Sequence, residues 1–126
     1  MRLVSGFGIL IIIVAGIFIF SQNKQTPQIS DFSDQTTVNV VLTDHGFEPN
    51  HFRIKKDTEI VFSTNLGKQF WPASNIHPSH GIYPEFDPKR PIEPEQTWSF
   101  VFNKVGSWGL HDHVRSYYTG IIEVIE

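Results

Sequence analysis

Two close pairs of histidines carry the main chemical signal of this sequence: His77-Pro78-Ser79-His80 and His111-Asp112-His113, four of the six histidines in the chain. A neutral imidazole offers a lone pair on one ring nitrogen, so four of them brought to one point form a site suited to Cu(II) or Zn(II). The usual affinity order favours Cu(II) at equal geometry, with Zn(II) as the alternative. Alternate residues of a strand share a face, which puts His111 and His113 on one side of Ser107 to His113 and leaves Trp108 and Leu110 for the core. Pro78 biases His77 toward an extended backbone, and the short spacing allows His77 and His80 to approach a common centre. The competing reading is that the strand pair faces solvent and the other pair decorates a polar loop, the fate of most histidines.

The chain has no cysteine, and its one methionine is Met1. Thiolate zinc sites, disulfides and thiol nucleophiles are excluded, and any metal must be held by nitrogen and oxygen. Asp112 alternates to the core side at a strand end, where a hydrogen bond or salt bridge with Arg115 is expected in preference to ligation. Glu85 and Asp87 could accept hydrogen bonds from imidazoles, although solvated loop charges are the plainer reading. Trp71, Tyr117 and Tyr118 are expected to pack, and His45 and His51, with no histidine nearby, are read as surface residues. No Ser-His-Asp order, phosphate loop or paired carboxylate motif is present, so no catalytic residue and no organic cofactor are assigned.

The elements that must position these residues are short β segments. Val38 to Leu42, Phe52 to Lys56, Glu59 to Thr64, Gln96 to Asn103, Ser107 to His113 and Thr119 to Ile125 read as strands. In the fourth, Trp98, Phe100 and Phe102 alternate with Thr97, Ser99 and Val101, the mark of one strongly apolar face. No helix is expected after residue 36. Six short strands with turns at Lys56-Asp57 and Lys104-Val105-Gly106 predict an all-β Greek-key β-sandwich or small barrel. The segment Leu66 to Glu95 holds six of the eight prolines and is too long for an idle connection. Phe70, Trp71, Tyr83 and Phe86 within it predict an ordered, packed loop, with room for a seventh strand.

Ahead of the β region, Leu3 to Phe20 is uncharged, and eighteen such residues just span a bilayer core of about 30 Å as a helix. Residues 1–21 are therefore read as a transmembrane anchor or uncleaved signal, residues 22–36 as a polar linker and residues 37–126 as the β domain. Arg2 at the front favours the cytoplasm, which leaves the domain facing the periplasm or cell exterior. A net charge of −3, with both signs interspersed, disfavours nucleic acid as a partner. The partners expected are a metal ion and, through the leading helix, a membrane.

From Gly46 onward the sequence resembles the cupredoxin family. Gly46-Phe47-Glu48-Pro49, Ile54-Lys55-Lys56-Asp57-Thr58 and Val61-Phe62 leading to Asn65 are similar to that family's first long strands and turn. Its carboxyl-terminal pattern G-x-Y-x-Y-H-C-x-x-H-x-x-M-x-G is matched in spacing by Gly106, Trp108, Leu110, His111 and Gly120. In that frame the cysteine ligand is replaced by Asp112, the second histidine by Arg115 and the methionine by Tyr118, while the first histidine falls near Phe70 or Trp71. The resemblance thus implies the fold without a blue-copper centre, which depends on thiolate. The H-x-H pattern after Gly-x-Trp looks like the histidine pairs of multicopper oxidases. Three functions follow: an anchored metal-binding module, a copper- or zinc-dependent enzyme with an open coordination position, or a metal-free interaction domain.

Overall fold

The computed structural model describes residues 28–126, and the leading apolar segment read as an anchor lies outside them. Among the described residues no helix is long and apolar enough to cross a membrane. The described residues form nine strands in chain order: β1 (Ser30–Asp31), β2 (Thr37–Thr43), β3 (Gly46–Glu48), β4 (His51–Lys55), β5 (Thr58–Thr64), β6 (Pro72–Ser74), β7 (Trp98–Phe102), β8 (Gly106–Asp112) and β9 (Thr119–Ile125). They form one sheet ordered β1-β4-β9-β8-β6 and a second ordered β3-β2-β5-β7.

Period-two alternation explains most of these strands. Val38, Val40 and Leu42 of β2, Phe52 and Ile54 of β4, and Ile60 and Phe62 of β5 are buried, while their strand neighbours, apart from buried Thr43, are less covered. Leu110, Ile122 and Val124 complete the core from β8 and β9. Each fully buried side chain of this size contributes roughly 1.5–3 kcal/mol from apolar transfer, which is why register is strongly specified.

Two strands were not anticipated. Gly46–Glu48 pairs with the end of β2, with Leu42 opposite Phe47, and is too short to show alternation. Ser30–Asp31 lies in the span read as a linker yet pairs in parallel with β4. Phe32 then packs edge-on against Phe52, so the polar run is docked on the sheet from Ser30.

The long segment is ordered, and it does contain a strand. Phe70 and Ile92 exchange both backbone hydrogen bonds, at 3.1 and 2.8 Å, and so close its base. Between them β6 pairs antiparallel with β8, setting Pro72 opposite Asp112, Ala73 opposite His111 and Ser74 opposite Leu110. Further along, Phe86 enters the core against Phe62, Trp98, Phe100 and Phe102. Tyr83 packs against Phe100, Phe102 and Trp108 and donates its hydroxyl hydrogen to Asn103 Oδ1 at 2.9 Å. These two aromatic residues supply the burial that offsets the entropy of ordering so long a connection.

Candidate metal centre

β8 delivers the first pair of imidazoles. His111 lies on the face away from Leu110, as alternation predicts, but is only 2 % exposed because the segment leaving β6 covers it. His113 sits just beyond the strand end, where its N–H donates to Trp71 O at 2.8 Å and its ring packs on the Trp71 indole at a centroid distance of 4.4 Å.

The second pair comes from the arch between Ser74 and Tyr83. Hydrogen bonds from Ile82 N to Asn75 O (2.9 Å), His80 N to Ile76 O (2.7 Å) and Tyr83 N to Ser74 Oγ (2.9 Å) close this arch on itself. His80 has a φ of 56°, a left-handed conformation that costs a non-glycine residue about 1–2 kcal/mol. The surroundings hold it there: its side chain is 3 % exposed and its Nδ1 lies 2.6 Å from Asp87 Oδ2.

All four histidines that the spacing singled out are brought together. One ligating nitrogen from each of His77, His80, His111 and His113 lies within 4.8 Å of every other. The closest approaches are His77 Nδ1 to His111 Nε2 at 3.2 Å and His80 Nε2 to His113 Nδ1 at 2.9 Å. With metal–nitrogen bonds of roughly 2.0–2.1 Å, donors stand about 3.3 Å apart in a tetrahedron, or about 2.9 and 4.1 Å apart in a square. The two close contacts match edges of such polyhedra, and the widest separation closes with side-chain shifts of under about an ångström.

Hydrogen-bond partners decide which nitrogen faces inward. An ionised carboxylate only accepts, so His80 Nδ1 carries the hydrogen and its Nε2 keeps the lone pair. Asn75 Oδ1 does the same for His111 at 3.2 Å, freeing Nε2. His77 and His113 must then be the donors in the two imidazole–imidazole contacts while no ion is bound. Moving those hydrogens to their outer Nε2 atoms presents four lone pairs without a change in net charge.

The electrostatics support the ligating form. Burial, reinforced by the neighbouring His80, His77 and His113, pushes the His111 pKa down to about 4. Burial, followed by the neighbouring His80 and His77, lowers His113. Burial also raises Asp87, but hydrogen bonds from His80, the Lys89 backbone, the Trp71 indole and the Lys89 ammonium outweigh it and hold this carboxyl well below the usual range. A permanently ionised acceptor therefore stands behind His80.

Asp87 is the main correction to the sequence reading. It is no solvated loop charge: its side chain is 6 % exposed, and its Oδ1 also accepts from Trp71 Nε1 at 2.8 Å. Glu85 does stay at the surface, paired with Lys104 at 3.0 Å. Asn75 was missed entirely, because an asparagine in a polar loop carries no signal until β6 pairs with β8. His45 is exposed beside Asp44, and half-buried His51 bonds Glu123 at 3.0 Å. Tyr118 packs on the core, whereas Tyr117 is largely exposed.

No protein-family model and no curated protein matches the sequence. Solved structures do resemble the fold. A purple cupredoxin from Nitrosopumilus maritimus aligns over 70 % of this chain and 99 % of its own, with a TM-score of 0.61 and 12 % identity. A reduced amicyanin variant aligns over 71 % of this chain and 82 % of its own, with a TM-score of 0.60 and 16 % identity. A copper-containing nitrite reductase from Thermus scotoductus SA-01 gives 0.58 and 17 % identity over 71 % of this chain, which spans 22 % of that enzyme. The described region has the cupredoxin fold.

The residues do not fit a blue-copper centre. Asp112, fully buried at the position of the family's cysteine, accepts from Trp71 N at 2.7 Å and Arg115 N at 3.1 Å, and contacts Arg115 Nε at 3.1 Å. Burial raises its pKa, against the backbone hydrogen bonds and the guanidinium. Arg115 donates to Gln69 O at 2.7 Å and Tyr118 to Asp44 O at 2.9 Å. These three residues fasten loops to one another and are committed there, so the donor set available is the four imidazoles.

Proposed function

We propose that this protein is a membrane-anchored, extracytoplasmic metal-binding protein of cupredoxin fold that holds Cu(II) in an all-histidine site. The observation that carries it is the convergence of His77, His80, His111 and His113, with one nitrogen of each within 4.8 Å of the others. Four neutral nitrogen donors without sulfur favour Cu(II) over Zn(II) by the usual affinity order, and zinc is the competing occupant. Asp87 and Asn75 hold two of the rings in the required tautomer. The anchor is supported by the uncharged run Leu3 to Phe20, which is long enough to span a bilayer and is followed by a polar stretch.

Isothermal titration of metal-free protein with Cu(II) and Zn(II) tests the site directly. One ion per chain is expected, with binding abolished in the His111→Ala, His113→Ala double variant and unchanged in His45→Ala. The copper-loaded protein should show weak ligand-field absorption and none of the intense thiolate-to-copper band near roughly 600 nm. Identical titrations of the double variant and the wild type would sink the reading. Fractionation of cells should place the full chain with membranes; mature protein beginning beyond residue 21 would mean export with cleavage.

A further inference from the structure

The four imidazoles are not equivalent. His80 and His111 are buried, and each has its outer nitrogen fixed by a group beyond the cluster, Asp87 for one and Asn75 for the other. His113 is fixed by the Trp71 ring and by its own backbone bond to Trp71 O. His77 is the exposed member. Among the described residues its side chain has no hydrogen-bond partner outside the cluster; its one such contact is with His111 Nε2 at 3.2 Å. Its neighbours Ile76, Pro78 and Ser79 are exposed as well, so solvent reaches the cluster on this side. Three rings are thus built into the fold, and the fourth is carried on its outer edge.

Resting on the metal-binding reading, we propose that His77 is the exchangeable arm of the site: an incoming nitrogen or oxygen donor takes its coordination position while His80, His111 and His113 retain the ion. The exchange breaks one metal–imidazole bond and forms one to the new donor, with no electron transferred and no proton required. A three-histidine seat with one replaceable position is open to a ligand or side chain that presents an imidazole or a carboxylate. Departure of the ion through the other three rings would require removal of Asp87, Asn75 or Trp71 from its present bonds.

The test uses copper-loaded full-length chain in mild detergent, with free imidazole as the probe. A tethered ring competes at an effective concentration in the millimolar range, so its loss should lower the imidazole concentration at half-saturation by at least about tenfold. His77→Ala is expected to keep one copper per chain, to bind imidazole correspondingly more tightly by electron paramagnetic resonance, and to lose copper faster to a chelator. His111→Ala should fail to retain copper. If His77→Ala loses copper as completely as His111→Ala while keeping its β circular dichroism, or keeps copper with unaltered imidazole affinity, the exchangeable arm is refuted and the metal site stands. If the wild type binds no copper at all, both readings fall together.

Discussion

His111 arrives on a strand that is hydrogen-bonded on both sides, by β9 and by β6, and His113 just beyond its end, tied to Trp71 O, whereas His77 and His80 arrive on an arch whose fixed points are Ser74 at one end and Tyr83 at the other. The two halves of the site are therefore held by different physics. The strand half inherits its geometry from the register of a sheet whose other face is core. The loop half inherits its geometry from two aromatic side chains sunk into that core and from one buried carboxylate. Damage to the loop half should thus act through packing and hydrogen bonding at a distance from the imidazoles, and that expectation separates the halves experimentally.

The largest effect is expected at Phe86. It is fully buried against four aromatic rings, and truncation of such a residue costs about 3–5 kcal/mol. Urea denaturation of Phe86→Ala should show that loss, and metal affinity should fall with it because Asp87 is the next residue in the chain. A Phe86→Ala protein with full metal affinity would show that the arch is positioned without its aromatic anchor. Next in size is Asp87→Asn. The amide could still bond His80 but would no longer dictate its tautomer, and loss of such an orienting carboxylate weakens metal affinity by about 10–100-fold. Titration of metal-free Asp87→Asn checks this, and an unchanged Kd would leave Asp87 as a purely structural residue.

A smaller change is expected at Gly109. A Cβ there would overlap the Asn75 side chain, whose amide oxygen accepts from His111 Nδ1. Because Asn75 can swing aside, Gly109→Ala should fold with modest loss of stability yet weaken metal binding by several-fold, on the order of one lost hydrogen bond. Binding equal to wild type would show that His111 needs no orienting partner. Here the strand half borrows a support from the loop half, so this variant tests how independent the two are.

The same division governs how much could be read from sequence. Trp98, Phe100 and Phe102 announced a strand, and His111 and His113 announced a shared face, because period two is a local property of the chain. The convergence of His77 and His80 on that face rested on a nonlocal event, the pairing of Pro72–Ser74 with Leu110–Asp112 inside a proline-rich segment. Asp87 looked like any loop charge, since its burial follows from Phe86 entering the core beside it. Gly46–Glu48 and Ser30–Asp31 escaped notice because two or three residues cannot display alternation.

The smallest effect should come from the site's counterpart on the same sheet. His51 and Arg53 of β4 both engage Glu123 of β9, at 3.0 Å from His51 Nε2 and 2.9 Å from the Arg53 guanidinium, so an imidazole again meets a carboxylate. There, however, the carboxylate links the imidazole to a guanidinium and not to a second ring, and Arg53 also contacts Asp31 at 3.6 Å. The hydrogen bond from His51, followed by those from Arg53, lowers the Glu123 pKa. A carboxyl with a depressed folded-state value contributes stability that is present above its unfolded value, about 4.5 or slightly below, and is lost as pH falls through the folded one. Glu123→Gln should therefore remove part of the acid limb of the stability curve, seen as a smaller drop in melting temperature between about pH 5 and pH 3 than in wild type. Metal titration of the same variant at neutral pH should match wild type. A Glu123→Gln protein with weakened metal binding would mean that β9 transmits strain to β8 and that the strand half is less rigid than its two hydrogen-bonded neighbours imply.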